Sequence, residues 1–184
     1  MPPTSLHMTA LEITHSLTAP EVEALVEQMK PIAKNVASYT LNHRARLVKP
    51  VVSFDAQALA LSFLPAAGEA GRSLEEDRYS YHHLRRDLFA QAHNGGIKVG
   101  SRYVVPSAHL TIGRFVKPQD FDMQSFMKTV AEVNEWLEKE FWPREDSIND
   151  GGEWIVGEEK GLDFRKGTLW YGNGGETVLL GEGF

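Results

Sequence analysis

Ser5-Leu6-His7-Met8-Thr9 and Ser107-Ala108-His109-Leu110-Thr111 are two copies of one pattern, Ser-x-His-x-Thr, set 102 residues apart (109 − 7 = 102) in a chain of 184. In an extended strand, residues i, i+2 and i+4 share a face. Each copy therefore puts serine, imidazole and hydroxyl on one side, with Leu6, Met8 and Ala10, or Ala108, Leu110 and Ile112, on the other. With 7 histidines in the chain, random placement gives roughly 0.3 His-x-Thr triplets, so two copies are a signal and not a by-product of composition. The same offset carries Thr18 onto Asp120, two residue types that cap helix N-termini. Thr18-Ala-Pro-Glu21 has the capping-box form and precedes an apolar stripe at Val22, Leu25, Met29, Ile32 and Val36. Phe126, Val130, Val133 and Leu137 form the matching stripe in the second half. Each half reads as reactive strand, loop, amphipathic helix and further strands, a unit duplicated once.

Working outward, the first helix is expected to kink or end at Pro31. Arg46 to Phe54 and Gln57 to Leu64 read as a hairpin around Asp55-Ala56. Pro65 to Gly71 is a turn-rich linker, and Leu74 to Ala92 a helix stopped by Asn94-Gly-Gly. Arg102 to Phe115 holds the second reactive strand, and Asp122 to Phe141 the second long helix. Glu153 to Glu158, Thr168 to Tyr171 and Glu176 to Leu180 follow as short strands between Gly-rich turns. The class is mixed α+β with antiparallel pairing, because hairpins dominate the connections. The length fits a single domain, residues 1–184, of two lobes, with approximate repeats at 1–70 and 95–184 joined by the linker and helix of 71–94.

Composition narrows the function. The chain has no cysteine, which excludes disulfides, thiolate metal sites and a cysteine nucleophile. A net charge of −6 argues against gripping a long nucleic-acid tract, which requires many neutralised phosphates. Neither a signal peptide nor a membrane-spanning apolar run is present, so the expected setting is the cytoplasm, or the nucleus, with a monomeric chain and no membrane partner. Dinucleotide, P-loop and zinc-protease motifs are absent, and no carboxylate and histidine cluster has metal-ligand spacing; no cofactor or metal is expected.

Two His-x-Thr motifs about a hundred residues apart, each on a strand followed by a helix, resemble the two-histidine (2H) phosphoesterase superfamily. His109-Leu-Thr-Ile-Gly-Arg114 is similar to the His-x-Thr-hydrophobic-x-Arg form of the branch named for 2′-5′ RNA ligases and cyclic phosphodiesterases. His7-Met-Thr-Ala-Leu-Glu12 matches at its His and Thr. The resemblance implies a bilobal fold of pseudo-two-fold symmetry, two antiparallel sheets flanking a central cleft with helices outside, and metal-free chemistry on 2′,3′-cyclic phosphates. In that family a strand usually precedes the first motif, whereas His7 lies six residues from the start, the pattern of a truncated form.

The chemistry is consistent with the residues. Opening a cyclic phosphate needs one proton taken from water and one delivered to the leaving ribose oxygen, and two imidazoles poised near neutrality supply both. His7 and His109 are the catalytic pair, His109 assigned as base and His7 as acid by the resemblance. Thr9, Thr111 and Ser107 are the phosphate-binding candidates, and Tyr103, Phe115, Trp154, Trp170 and Tyr171 the candidates for stacking on a base. Arg114 reaches the His109 face only if the strand bends at Gly113. The expected partner is an RNA end or a small cyclic nucleotide; the alternatives are a nucleotide-binding module and a 2′-5′ ligase using the same site.

Overall fold

The computed structural model describes residues 2–69, 72–101, 107–116, 122–144, 152–167 and 175–184. The elements in chain order are α1 (Ala19–Ala37), β1 (Arg46–Phe54), β2 (Ala58–Pro65), α2 (Tyr81–Asn94), β3 (Ala108–Arg114), α3 (Met123–Phe141), β4 (Trp154–Ile155), β5 (Asp163–Gly167) and β6 (Gly175–Leu180). The protein is mixed α+β: a four-stranded sheet of order β3-β2-β1-β4 and a two-stranded sheet β5-β6. Among the described residues, no helix is long and apolar enough to cross a membrane. Two compact units interleave along the chain. One comprises Met1–Thr9, Leu47–Arg78 and Ser107–Trp154, the other Ala10–Arg46, Tyr79–Pro106 and Ile155–Phe184.

In the first unit, β2 pairs antiparallel with both β1 and β3. The β1–β2 turn is set by Asp55, whose carboxylate accepts from the backbone N–H of Gln57 and Ala58 at 2.7 and 2.8 Å. β1 bulges between Val48 and Val51, where Lys49 takes φ 55° and its ammonium meets Glu69 at 2.8 Å. Beyond that bulge α3 closes the outer edge of β1. Asn134 accepts from Val52 N–H at 2.7 Å and donates to Val52 C=O at 3.0 Å, so one amide side chain replaces a neighbouring strand. Trp142 adds an indole N–H to Pro50 C=O at 2.9 Å, and Phe126 packs edge-on against Phe54 and Phe115. The helix begins at Asp122, whose carboxylate accepts from Gln124 and Ser125 N–H. Asp120, the expected cap, lies outside the described residues. The observed cap makes the connection from motif to helix two residues longer in the second copy (122 − 111 = 11) than in the first (18 − 9 = 9).

In the second unit, α1 packs on α2 and on the β5–β6 hairpin. Its core is Met29, Ala92 and Ile97, flanked by Leu11, Ile13, Leu25, Ile32, Val99 and Phe164. Pro31 does not end α1, which runs on to Ala37. Met29, Ala33 and Ala37 are buried on both sides of the proline, and that packed stripe outweighs the hydrogen bond the proline forgoes. The second helix starts at Tyr81 rather than Leu74, because Ser80 and His83 form a capping box that takes the place of the Ser/Glu version. Ser73 and Glu76 close a separate turn upstream, with Leu74 exposed. At the far end of α2, a Cβ on Gly95 would stand 2.7 Å from Ile32 Cδ1, so glycine is what allows α1 this close.

Strand expectations near the C-terminus are met unevenly. β6 matches, and the expected strand Glu153 to Glu158 shrinks to the two residues of β4. Thr168 to Tyr171 lies outside the described residues. β5, unread in the sequence, alternates Phe164 and Lys166 inward and owes its position to pairing with β6.

Candidate functional site

The two motif copies lie in the same compact unit and touch. Met8 and Leu110, which stand between His and Thr in the two patterns, form an antiparallel β-bridge. In antiparallel register the numbers of opposed residues share a constant sum, here 118 (8 + 110). The bridge is a single pair; the same register carried one residue either way would set His7 across from Thr111 and Thr9 across from His109. Neighbours along a strand alternate, so His109 and Thr111 belong to one face of β3 and Leu110 to the other, and a first copy that kept the bridge's register would set His7 and Thr9 beside them. The bridge joins the two motif segments edge to edge.

The surrounding ladder extends that face. Ser62 is paired with His109, and Ala60 with Thr111. Ser53 pairs with Ala60 in turn, and its hydroxyl lies 2.6 Å from that of Ser62, an independent sign that the two serines share a side. The opposite face carries Leu61, Val52 and Phe63, against which Trp154 packs edge-on at 5.7 Å. Trp154 is thereby occupied on the side away from the histidines. Phe115 likewise sits edge-on to Phe126 at 5.8 Å in the α3 packing. Tyr103, Trp170 and Tyr171 lie outside the described residues.

Arg114 reaches the motif face by a different device from the expected bend at Gly113. β3 pairs Thr111 with Ala60 but Gly113 with Leu59, so Ile112 is an extra residue, a bulge. One inserted residue shifts the alternation by one. Arg114, paired with Ala58, then falls on the face of Ala60 and Thr111 rather than opposite it. The Asp55 carboxyl registers this neighbourhood. Its pKa is lowered chiefly by the N–H groups of Gln57 and Ala58, with the positive charge of Arg114 and of His109 acting in the same direction.

The two imidazoles are held differently. His7 Nδ1 lies 2.9 Å from the backbone C=O of Ser5, an acceptor only, so that nitrogen carries a proton. His109 Nδ1 lies 3.0 Å from the hydroxyl of Ser107, which can donate or accept. Ser107 is thus engaged with the ring of its own copy. His7 is exposed, while Thr9, His109, Thr111 and Arg114 are half-buried.

Two of the other histidines serve local structure. His43 stacks on Tyr39 with centroids 3.8 Å apart, and His83 accepts from the Ser80 backbone N–H as a helix cap. Tyr81 is fully buried. Arg85 is buried with a guanidinium N–H on Ala10 C=O at 2.8 Å, and Arg86 pairs with Asp87. Among the described residues, no three His, Cys, Asp or Glu side chains gather as a metal ion would require. No family model matches the chain, and no curated protein or solved structure is significantly similar to it.

Ser62 and Ser53 are the members of the face that sequence reading missed. Their signal was available: each is the one hydroxyl residue in its strand, Arg46–Phe54 or Ala58–Pro65, among valines, leucines and alanines.

Proposed function

We propose that the chain is a phosphoesterase that opens 2′,3′-cyclic phosphates, on RNA ends or on small cyclic nucleotides, to 2′-phosphates. The observation that carries this reading is the Met8–Leu110 bridge, which brings the two His-x-Thr segments side by side and supports a shared face for both pairs. An antiparallel bridge between equivalent residues of two copies is also the pairing that a local two-fold axis generates, in keeping with a duplicated, two-lobed ancestry.

In this scheme Nε2 of each ring does the chemistry, since Nδ1 is engaged by its own segment. His109 Nε2 takes a proton from water as the water oxygen bonds to phosphorus. The P–O3′ bond breaks, and O3′ takes the proton held on His7 Nε2, leaving a 2′-phosphate and two histidines with their protons exchanged. A proton passed back through solvent restores the pair. The acceptor-only carbonyl on His7 fixes the tautomer with Nδ1 protonated, and the Ser107 hydroxyl, donor or acceptor, can serve His109 in either tautomer. Thr9 and Thr111 donate hydroxyl hydrogen bonds to the non-bridging oxygens. Arg114, brought round by the Ile112 bulge, adds positive charge to the same face.

The test is to incubate the purified chain with each of the four nucleoside 2′,3′-cyclic monophosphates, and with a short RNA ending in a cyclic phosphate, in the presence of chelator. The expected result is turnover with a single product, the 2′-phosphate. Saturable binding without turnover would make the protein a nucleotide-binding module instead.

A further inference from the structure

The Ser53–Ser62 hydroxyl pair is not used by the phosphoryl chemistry, yet it continues the reactive face without a break. Ser62 is the direct cross-strand partner of His109, so its Cβ lies about 5 Å from that of the histidine. Ser53 stands one strand further on, about 10 Å from β3 at ordinary strand spacing. Serine is a poor strand former, and the remaining residues of this face on β2 include Ala58 and Ala60, so packing does not call for hydroxyls there. The two side chains bond to each other at 2.6 Å, which uses one donor and one acceptor. The pair still has one O–H to donate and three lone pairs to offer. Both residues are half-buried; in the ladder Ser53 faces Ala60, and Ser62 faces Val51 on one side and His109 on the other.

From this geometry we infer that Ser53 and Ser62 form a subsite for the ribose of the terminal nucleoside, a neutral, hydroxyl-rich group lying along the sheet from the phosphate. The inference rests on the phosphoesterase reading and adds the direction in which the substrate lies. A phosphate seated among the four motif residues has its sugar within a few ångströms, the interval from the His109 column to the Ser62 column. An uncharged hydroxyl pair suits sugar oxygens better than a second phosphate, which would call for Lys or Arg.

The experiment compares the wild type with S53A/S62A in binding two probes by NMR or calorimetry: adenosine 2′-monophosphate and inorganic phosphate. Alanine already occupies neighbouring places on this face, so the variant is expected to fold, checked by its circular dichroism and melting curve. The S53T/S62T variant, which keeps both hydroxyls on strand-compatible side chains, serves as a second reference. The expected result is a roughly 5- to 20-fold weakening of nucleotide binding in the alanine variant, no change for inorganic phosphate, and substantial recovery with threonine. Unchanged nucleotide binding, or equal weakening of both probes, overturns the subsite. If the wild type binds neither probe, the phosphoesterase reading falls first and the subsite with it.

Discussion

The first and second copies of Ser-x-His-x-Thr share a pattern but not an environment. The second lies at the start of β3, hydrogen-bonded to β2 over most of its length. The first follows a short 3-10 turn, Pro3–Ser5, and joins the sheet through the single Met8 bridge, after which the Ala10 carbonyl is held by Arg85. The rings differ in the same sense, one leaning on a backbone carbonyl, the other on a side-chain hydroxyl. The two copies carry the same set of functional groups in unequal surroundings, as the proposed reaction, with one acid and one base, requires.

That comparison breaks most decisively at the imidazoles. H7A and H109A should each lower turnover of a 2′,3′-cyclic nucleotide by about 10²- to 10⁴-fold with little change in melting temperature. The double variant should lose far less than the product, because the rings act as one unit. A folded single variant with near wild-type rates would contradict the pairing.

A smaller effect is expected from the hydroxyls and the guanidinium. T9V and T111V should each cost about 10-fold in kcat, and R114Q a similar factor, mostly in KM. Deleting Ile112 sharpens this arm. Removing the bulge should return Arg114 to the opposite face and reproduce the R114Q defect while retaining the His109 pairing.

The asymmetry itself is probed by S107A and S5A. The first removes the group that orients His109 and should lower kcat several-fold and move one limb of the pH–rate profile. The second leaves the backbone carbonyl in place and should do neither, since His7 bonds the main chain.

What could be read from the sequence was what depends on short-range periodicity. β1 matches its expected span to the residue, and both long helices appear where their apolar stripes run. The motif residues were legible because the repeat is local. The position of Arg114 was not, since a bulge is decided by how β3 pairs with β2, a relation between distant segments. Ser53 and Ser62 were hidden for the same reason: only the register shows that they share a face with His109. The start of α2 was misplaced because His83 capping Ser80 is an unusual partner, and β5 was missed because its alternation is short and its pairing partner decides it.

The smallest predicted effect is on stability in acid. Asp87 is held below its ordinary value mainly by its bond to Arg86, and Asp122 by the Ser125 hydroxyl and N–H groups of the α3 cap. A lowered carboxyl favours the folded state fully above the ordinary aspartate value of 3.8 and loses that contribution as pH falls through the lower folded value. The melting temperature should therefore be flat near neutrality and decline below about pH 4. D87N should flatten part of the decline.

Whether the two copies form one site is answered most directly by following both imidazoles during a single titration. With His7 and His109 assigned in the NMR spectrum by the two alanine variants, adenosine 2′-monophosphate is added at constant pH. A single site between the paired strands predicts that both rings shift along one binding curve with one dissociation constant, and that H7A abolishes neither the fold nor the His109 signal but weakens its response. Perturbation of one ring alone, or two curves with separate midpoints, would contradict the account.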